Sequence, residues 1–187
     1  YSGWGVDYLK ADDMASPIYH AKEIEALSKA SRKCGRPIVL SLSPGGDAQP
    51  DCAHLKTHVH LWRVGSDLWD RWEDVVKAFA HARHWQGHAE PGHWPDLDML
   101  PLGRLSIRGE VGTDRNSRLS REEQKSLMTL WAITRSPLMM GGDLPSLDAF
   151  TYSLLTNPGI LEADQNSREN RELFHRENRI AWTAASQ

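Results

Sequence analysis

Lys10 and Asp12, Ser41 and Ser43, Arg63 and Asp67, Asp96 and Asp98, and Asp143 occur in that order along the 187-residue chain, each near the end of a short apolar stretch. Carboxylates in the company of an ammonium and a guanidinium can transfer protons or act as nucleophiles. Lys10 precedes Asp12 by two residues, so on an extended strand both side chains leave the same face. Plainer readings exist for several of them. Asp12 or Asp13 fits a loop or helix-cap role. Asp67 stands just before an apolar helical pattern and fits an N-cap. Arg63 fits a structural ion pair with a neighbouring carboxylate.

The elements that must position these residues alternate in type. Residues 6–10 predict a strand, and 37–42 predict another, apolar enough to be buried on both faces of a parallel sheet. Residues 58–64, 95–100 and 138–140 supply three more strand candidates. Ser16-Pro17 is expected to start the first helix, which carries Ile18, Ala21, Ile24, Leu27 and Ala30 at helical spacing and ends at Cys34-Gly35. Further helices are expected over about 68–85, over 121–134 behind a Ser120/Glu123 capping box, over 147–155, and near 165. Residues 101–119 read as a long, solvated, Gly- and Arg-containing loop. Residues 172–175 and 179–182 look like two strands of an antiparallel segment. Strands alternating with helices call for a parallel sheet with crossover connections, whose carboxyl ends build the site.

Composition excludes several classes. Twenty-two Lys+Arg against 25 Asp+Glu leave a net charge of −3, with no electrostatic footprint for nucleic acid. No apolar run reaches about 18 residues, so no membrane span is expected. The two cysteines, Cys34 and Cys52, leave open one bridge or two thiols. The chain has 8 Trp and 9 His. Trp62 and Trp94 flank the strand-end polar residues and are expected to line a ligand pocket. Trp69, Trp72 and Trp85 fit packing on a helix, and Trp131 fits a core position. His54, His58 and His60 have a metal-like spacing without an acidic companion, so no metal is expected. The chain begins on a turn running into a strand and closes on a strand-like stretch, which reads as a piece of a longer protein.

Four ordered blocks carry a family resemblance. They are Trp4-Gly-Val-Asp-Tyr-Leu-Lys-Ala-Asp12, Trp62-Arg63 with Asp67 four residues on, Pro91-Gly-His-Trp-Pro-Asp-Leu-Asp-Met-Leu100, and Leu130-Trp-Ala-Ile-Thr-Arg-Ser-Pro-Leu-Met-Met-Gly-Gly-Asp-Leu144. Together they resemble the α-galactosidase/melibiase family, glycoside hydrolase family 27, over nearly the whole chain. The resemblance implies an α/β fold: about strands four to eight of a (β/α)8 TIM barrel over 1–166, then the start of an antiparallel β domain over 167–187. It implies a retaining exo-glycosidase for terminal α-galactosides or a closely related glycoside, with Asp12 as nucleophile and Asp67 as acid/base. Lys10, Arg63 and Asp98 resemble sugar-binding residues, and Ser43 stands at the end of the next strand of the site. The implied partner is a carbohydrate, with no cofactor, and the implied location is secreted or periplasmic.

Retaining hydrolysis needs two carboxyl groups about 5–5.5 Å apart. Lys10 and Arg63 would favour an ionised Asp12, and Asp67 would hold a proton for the leaving oxygen. The chain also departs from the family. Asp13-Met14 stand where a disulfide-bonded Cys often follows the nucleophile. Ser43-Pro44-Gly45 stand where Cys-Glu-Trp is frequent, and that Glu contacts the sugar. Relatives acting on α-N-acetylgalactosamine, β-L-arabinopyranose or isomaltose units therefore remain open, as do a non-catalytic carbohydrate-binding relative and an inactive fragment.

Overall fold

The structure is a computed structural model and describes residues 1–15, 18–43, 51–177 and 179–186. In chain order its elements are β1 (Tyr8–Asp12), α1 (Ala21–Lys33), β2 (Val39–Ser43), α2 (Cys52–His58), β3 (Leu61–Arg63), α3 (Trp72–Trp85) and β4 (Trp94–Asp96). They continue with β5 (Arg104–Leu105), β6 (Arg115–Asn116), α4 (Arg121–Thr134), α5 (Ala149–Leu155), α6 (Pro158–Asn166), β7 (Arg168–Arg176) and β8 (Arg179–Ala185). The chain divides into two compact units, residues 1–67 with 88–96, and residues 68–87 with 97–187.

The first unit is a four-stranded parallel sheet in the order β1-β2-β3-β4. Leu40 and Leu42 are sealed from solvent at 1% and 0% exposure, as the apolar run of β2 predicts, and so is Trp62 of β3 at 0%. α1 buries Ile24 and Ser28, one turn apart, and closes with Arg32 and Lys33, cations that suit the negative end of the helix. Its N-cap is His20; the expected start at Ser16-Pro17 lies outside the described residues. α2 is a correction to the sequence reading, because His58 ends a helix instead of opening a strand. Asp51 caps it, accepting from the Ala53 and His54 amides at 2.9 and 3.2 Å. Cys34 and Cys52 are free thiols. Cys52 Sγ lies 3.0 Å from His88 Nδ1.

In the second unit α3 buries Asp74, Val75, Ala78, Ala82 and Trp85 along one face. It begins at Trp72 with Arg71 as N-cap, four residues later than the apolar pattern suggests. α4 matches its expected bounds and forms the capping box, Ser120 Oγ accepting from the Glu123 amide and Glu123 from the Ser120 amide. Leu127, Met128, Leu130 and Trp131 form its core face. The fifth strand candidate shrinks to a single parallel bridge, Met140 with Leu100. Gly142 sits so close to the neighbouring chain that a Cβ there would lie 2.0 Å from the Leu102 carbonyl oxygen. β7 and β8 pair antiparallel with two register shifts, a longer pair than expected. Arg83 Nε donates to both Glu172 oxygens, at 2.9 and 3.0 Å, and so fastens β7 to α3.

Candidate active site

The register of the parallel sheet decides which side chains share a face, because paired residues point to the same side and neighbours along a strand to opposite sides. Lys10 pairs with Ser41 and Asp12 with Ser43. Ser41 pairs with Leu61, Leu61 with Trp94, and Arg63 with Asp96. One face therefore carries Lys10, Asp12, Ser41, Ser43, Arg63, Trp94 and Asp96. The other carries Ala11, Leu42, Trp62 and Pro95. Trp62 is fully buried and, beside Arg63 in sequence, falls on the opposite face of the sheet. Trp94 shares the face of Arg63 and is half-buried.

Asp12 closes β1 and is exposed. Its Oδ1 accepts the Asp13 amide at 2.9 Å. Asp13 reaches that position through a left-handed backbone, φ 58°, which a short polar side chain tolerates. The hydrogen bond holds the carboxylate at one oxygen. Lys10 is exposed, whereas Ser43 is buried to 2%.

Arg63 is mostly buried and turns back on the segment that follows β3. Its Nε donates to the Gly65 carbonyl at 3.0 Å, and its Nη1 lies 2.8 Å from Asp67 Oδ1. The side chains are 10% and 71% exposed, so the pair runs from the sheet out to solvent. The structural ion pair foreseen for Arg63 is thus present, with Asp67 as its partner. The N-cap reading of Asp67 fails, since α3 starts five residues later.

Asp98 is buried, with φ at 85°. Its Oδ2 accepts the Leu68 amide at 2.8 Å, and its carbonyl accepts from Trp131 Nε1 at 2.9 Å. It holds the residue that follows Asp67 in sequence. Two residues on, Asp70 is sealed from solvent. Arg115 donates to it through Nε at 2.9 Å and Nη2 at 2.5 Å, and the Arg118 amide adds a bond of 3.0 Å. Burial pushes the Asp70 carboxyl up, but these donors outweigh it and hold the group below the ordinary carboxylate range. The Arg115 guanidinium also lies 5.9 Å over the Trp69 ring. Residues 101–119, expected to be one long solvated loop, are exposed over 107–114, whereas Leu102, Leu105 and Ser106 are buried, β5 pairs with β6 and Arg115 anchors the segment to Asp70.

Sequence reasoning left Tyr8 out of the candidates. Tyr8 pairs with Val39 and so shares the face of Lys10 and Asp12. Burial raises its phenol, a Ser41 hydrogen bond lowers it, and the Asp96 charge raises it again. The period-two alternation through Tyr8, Lys10 and Asp12 was the available signal. Among the histidines, His60 Nδ1 accepts the Leu40 amide at 3.0 Å and serves the sheet. His54 and His58 meet Glu25 from α1, which supplies the acidic companion that linear spacing does not show.

The melibiase family model described as alpha galactosidase A matches residues 1–166. The chain belongs to this family. Among melibiase-family relatives, "Alpha-galactosidase 2" of Arabidopsis thaliana is 30% identical over 167 residues, covering 89% of this chain and 39% of the relative. The human "Alpha-N-acetylgalactosaminidase" is 31% identical over 176 residues, covering 89% and 40%. A crystal structure of a GH27 β-L-arabinopyranosidase from Geobacillus stearothermophilus superposes with a TM-score of 0.95 at 42% identity, over 100% of this chain and 44% of that one. The chain thus spans about two-fifths of the length of the curated relatives it matches. Solved GH27 barrel enzymes share its fold. No described helix is long and apolar enough to cross a membrane.

Proposed function

We propose that this chain carries the nucleophile and the acid/base of a retaining exo-glycosidase acting on terminal α-galactosides or a closely related glycoside. It corresponds on this reading to about strands four to eight of a (β/α)8 barrel up to residue 166, with β7 and β8 opening an antiparallel β domain. The observation that carries the reading is the alignment of Asp12, Lys10, Ser43, Arg63 and Asp96 on one face of a parallel sheet in a melibiase-family chain. Parallel barrels place their chemistry at the carboxyl ends of such strands.

Asp12 attacks the anomeric carbon with the oxygen not engaged by the Asp13 amide, the C–O bond to the leaving group breaks, and Asp67 gives that oxygen a proton. Water then attacks the glycosyl ester and passes its proton to Asp67, freeing the sugar with its configuration retained. Asp67 faces Arg63. Arg63, mostly buried on the Asp12 face, offers its guanidinium to sugar hydroxyls, and Asp67 reaches out toward solvent. Lys10, on the Asp12 face, offers the same hydroxyls an ammonium. By the family resemblance Asp98 is a carboxylate of the same sugar pocket; its Oδ2 accepts the Leu68 amide.

A second reading, hydrolysis of β-L-arabinopyranosides, is favoured by the 42% identity to the arabinopyranosidase. That sugar matches α-D-galactose around the ring but lacks the hydroxymethyl group. The complete enzyme assayed on aryl α-galactoside, α-N-acetylgalactosaminide, β-L-arabinopyranoside and α-glucoside separates the readings by kcat/KM. Asp12→Asn is expected to abolish turnover of whichever substrate is used. Substantial activity in that variant would remove Asp12 from its role.

A further inference from the structure

His54 and His58 stand four residues apart on α2, so both rings occupy one face of the helix, with centroids 4.5 Å apart. α1 brings Glu25 against them, its Oε1 lying 3.4 Å from His54 Nε2. One ligand atom from each of the three residues falls within 4.8 Å of the others. Two further observations separate this group from an ordinary surface ion pair. Tyr19 Oη lies 2.7 Å from His54 Nδ1, the kind of outer bond that fixes tautomer and ring direction in metal-binding imidazoles. His58 Nδ1 is buried and has no hydrogen-bond partner among the described residues, an arrangement that costs stability unless a ligand or ion uses the ring.

We propose that Glu25, His54 and His58 form a binding site for a divalent cation of borderline softness, with Zn²⁺ the best-suited abundant ion. Two imidazoles and one carboxylate are a donor set that zinc accepts, with water in the fourth position. Tetrahedral ligands at 2.0–2.1 Å from the ion lie about 3.3 Å from one another. The cluster closes to that size by side-chain rotation, chiefly of Glu25, the exposed member. The ion would take His54 through Nε2, leaving the proton of the neutral ring on Nδ1, where Tyr19 Oη accepts it. The ion then ties α1 to α2. The three ligands leave helices, and none belongs to the strands that carry Asp12 and Arg63, so the ion is a structural clip between α1 and α2. It stabilises by mass action, since the unfolded chain does not hold the three groups together.

The test is a Zn²⁺ titration of the complete protein at pH 7.5 by calorimetry, with thermal unfolding followed in parallel. One zinc ion that wild type binds with a dissociation constant on the order of micromolar is expected to weaken at least tenfold in Glu25→Gln and in His58→Gln. It is expected to disappear in the His54→Gln/His58→Gln double variant, together with the zinc-dependent rise in Tm. Glu25→Gln alters an exposed side chain and keeps the fold, so it reads the ligand role by itself. Cys52→Ser controls for the other metal-capable pair, Cys52 with His88, and is expected to bind as wild type does. Equal zinc binding by wild type and the double variant would overturn the proposal, as would loss of binding in Cys52→Ser alone.

Discussion

Asp98 combines two physical constraints that a short mutant series can separate. Its carboxylate accepts the Leu68 amide at 2.8 Å in a buried setting, and its backbone sits at φ 85°. A hydrogen bond to a charged acceptor is worth about 1.5–3 kcal/mol. A left-handed backbone costs a non-glycine residue roughly 1–2 kcal/mol, less for Asp and Asn, whose side chains bond locally. Asp98→Asn keeps an acceptor and the backbone tolerance, and is expected to cost about 0.5–1.5 kcal/mol. Asp98→Gly removes the acceptor but suits the φ, giving about 1.5–3 kcal/mol. Asp98→Ala loses both, giving about 2.5–4 kcal/mol. Urea unfolding of the complete protein reads the order, and hydrogen exchange of the peptide containing Leu68 reads the cause. The Leu68 amide is expected to lose protection in the Ala and Gly variants and to retain most of it in Asn. An Ala variant within about 1 kcal/mol of wild type, a difference this series resolves, would refute the argument. So would an Asn variant as damaged as Ala.

Other positions give independent checks. Arg115→Ala leaves Asp70 buried without its bidentate partner and is expected to cost about 3–5 kcal/mol in urea unfolding; Arg115→Lys, which cannot donate bidentately, recovers only part. Burial raises the Asp164 carboxyl to about 6 against the opposing charge of Arg135. The folded state thus binds that proton more tightly than the unfolded chain, a contribution present in full below the ordinary carboxylate value and lost as pH rises through about 6. Asp164→Asn is therefore expected to be near neutral at pH 4 and to stabilise by on the order of 1 kcal/mol at pH 7.5, after allowance for solvent screening, as read by thermal unfolding at the two pH values. Gly142→Ala drives a Cβ to 2.0 Å from the Leu102 carbonyl oxygen, a clash with backbone that no rotamer relieves. That variant is expected to unfold at least 10 °C below wild type in a thermal melt.

The elements best read from sequence are those whose signals are local. α4 announces itself through Ser120, Glu123 and an apolar face, and the structure reproduces its bounds. β2 is legible because an apolar run of that length has few other fates. α2 has a weak sequence signal because its seven residues hold one buried apolar side chain, Leu55, and the residues from His58 alternate like a strand; its cap, Asp51, is the usable clue. α3 starts late for long-range reasons, since Asp98 takes the Leu68 amide and Asp70 is bound by Arg115 and Arg118. At the site, the face of Trp62 was decidable in advance, because a residue next to Arg63 on a strand cannot share its side. The meeting of Glu25 with His54 and His58 depends on the packing of α1 with α2, and no spacing along the chain encodes it.

The proposed double displacement requires the Asp12 carboxylate to become covalently bonded to the sugar. The most direct measurement incubates the complete enzyme with a slow-turnover fluorinated glycosyl fluoride of the preferred sugar, digests it, and sequences the modified peptide by mass spectrometry. One glycosyl ester is expected, on Asp12, and none in Asp12→Asn. An ester on another carboxylate, or steady hydrolysis with inversion and no adduct, would contradict the proposed displacement.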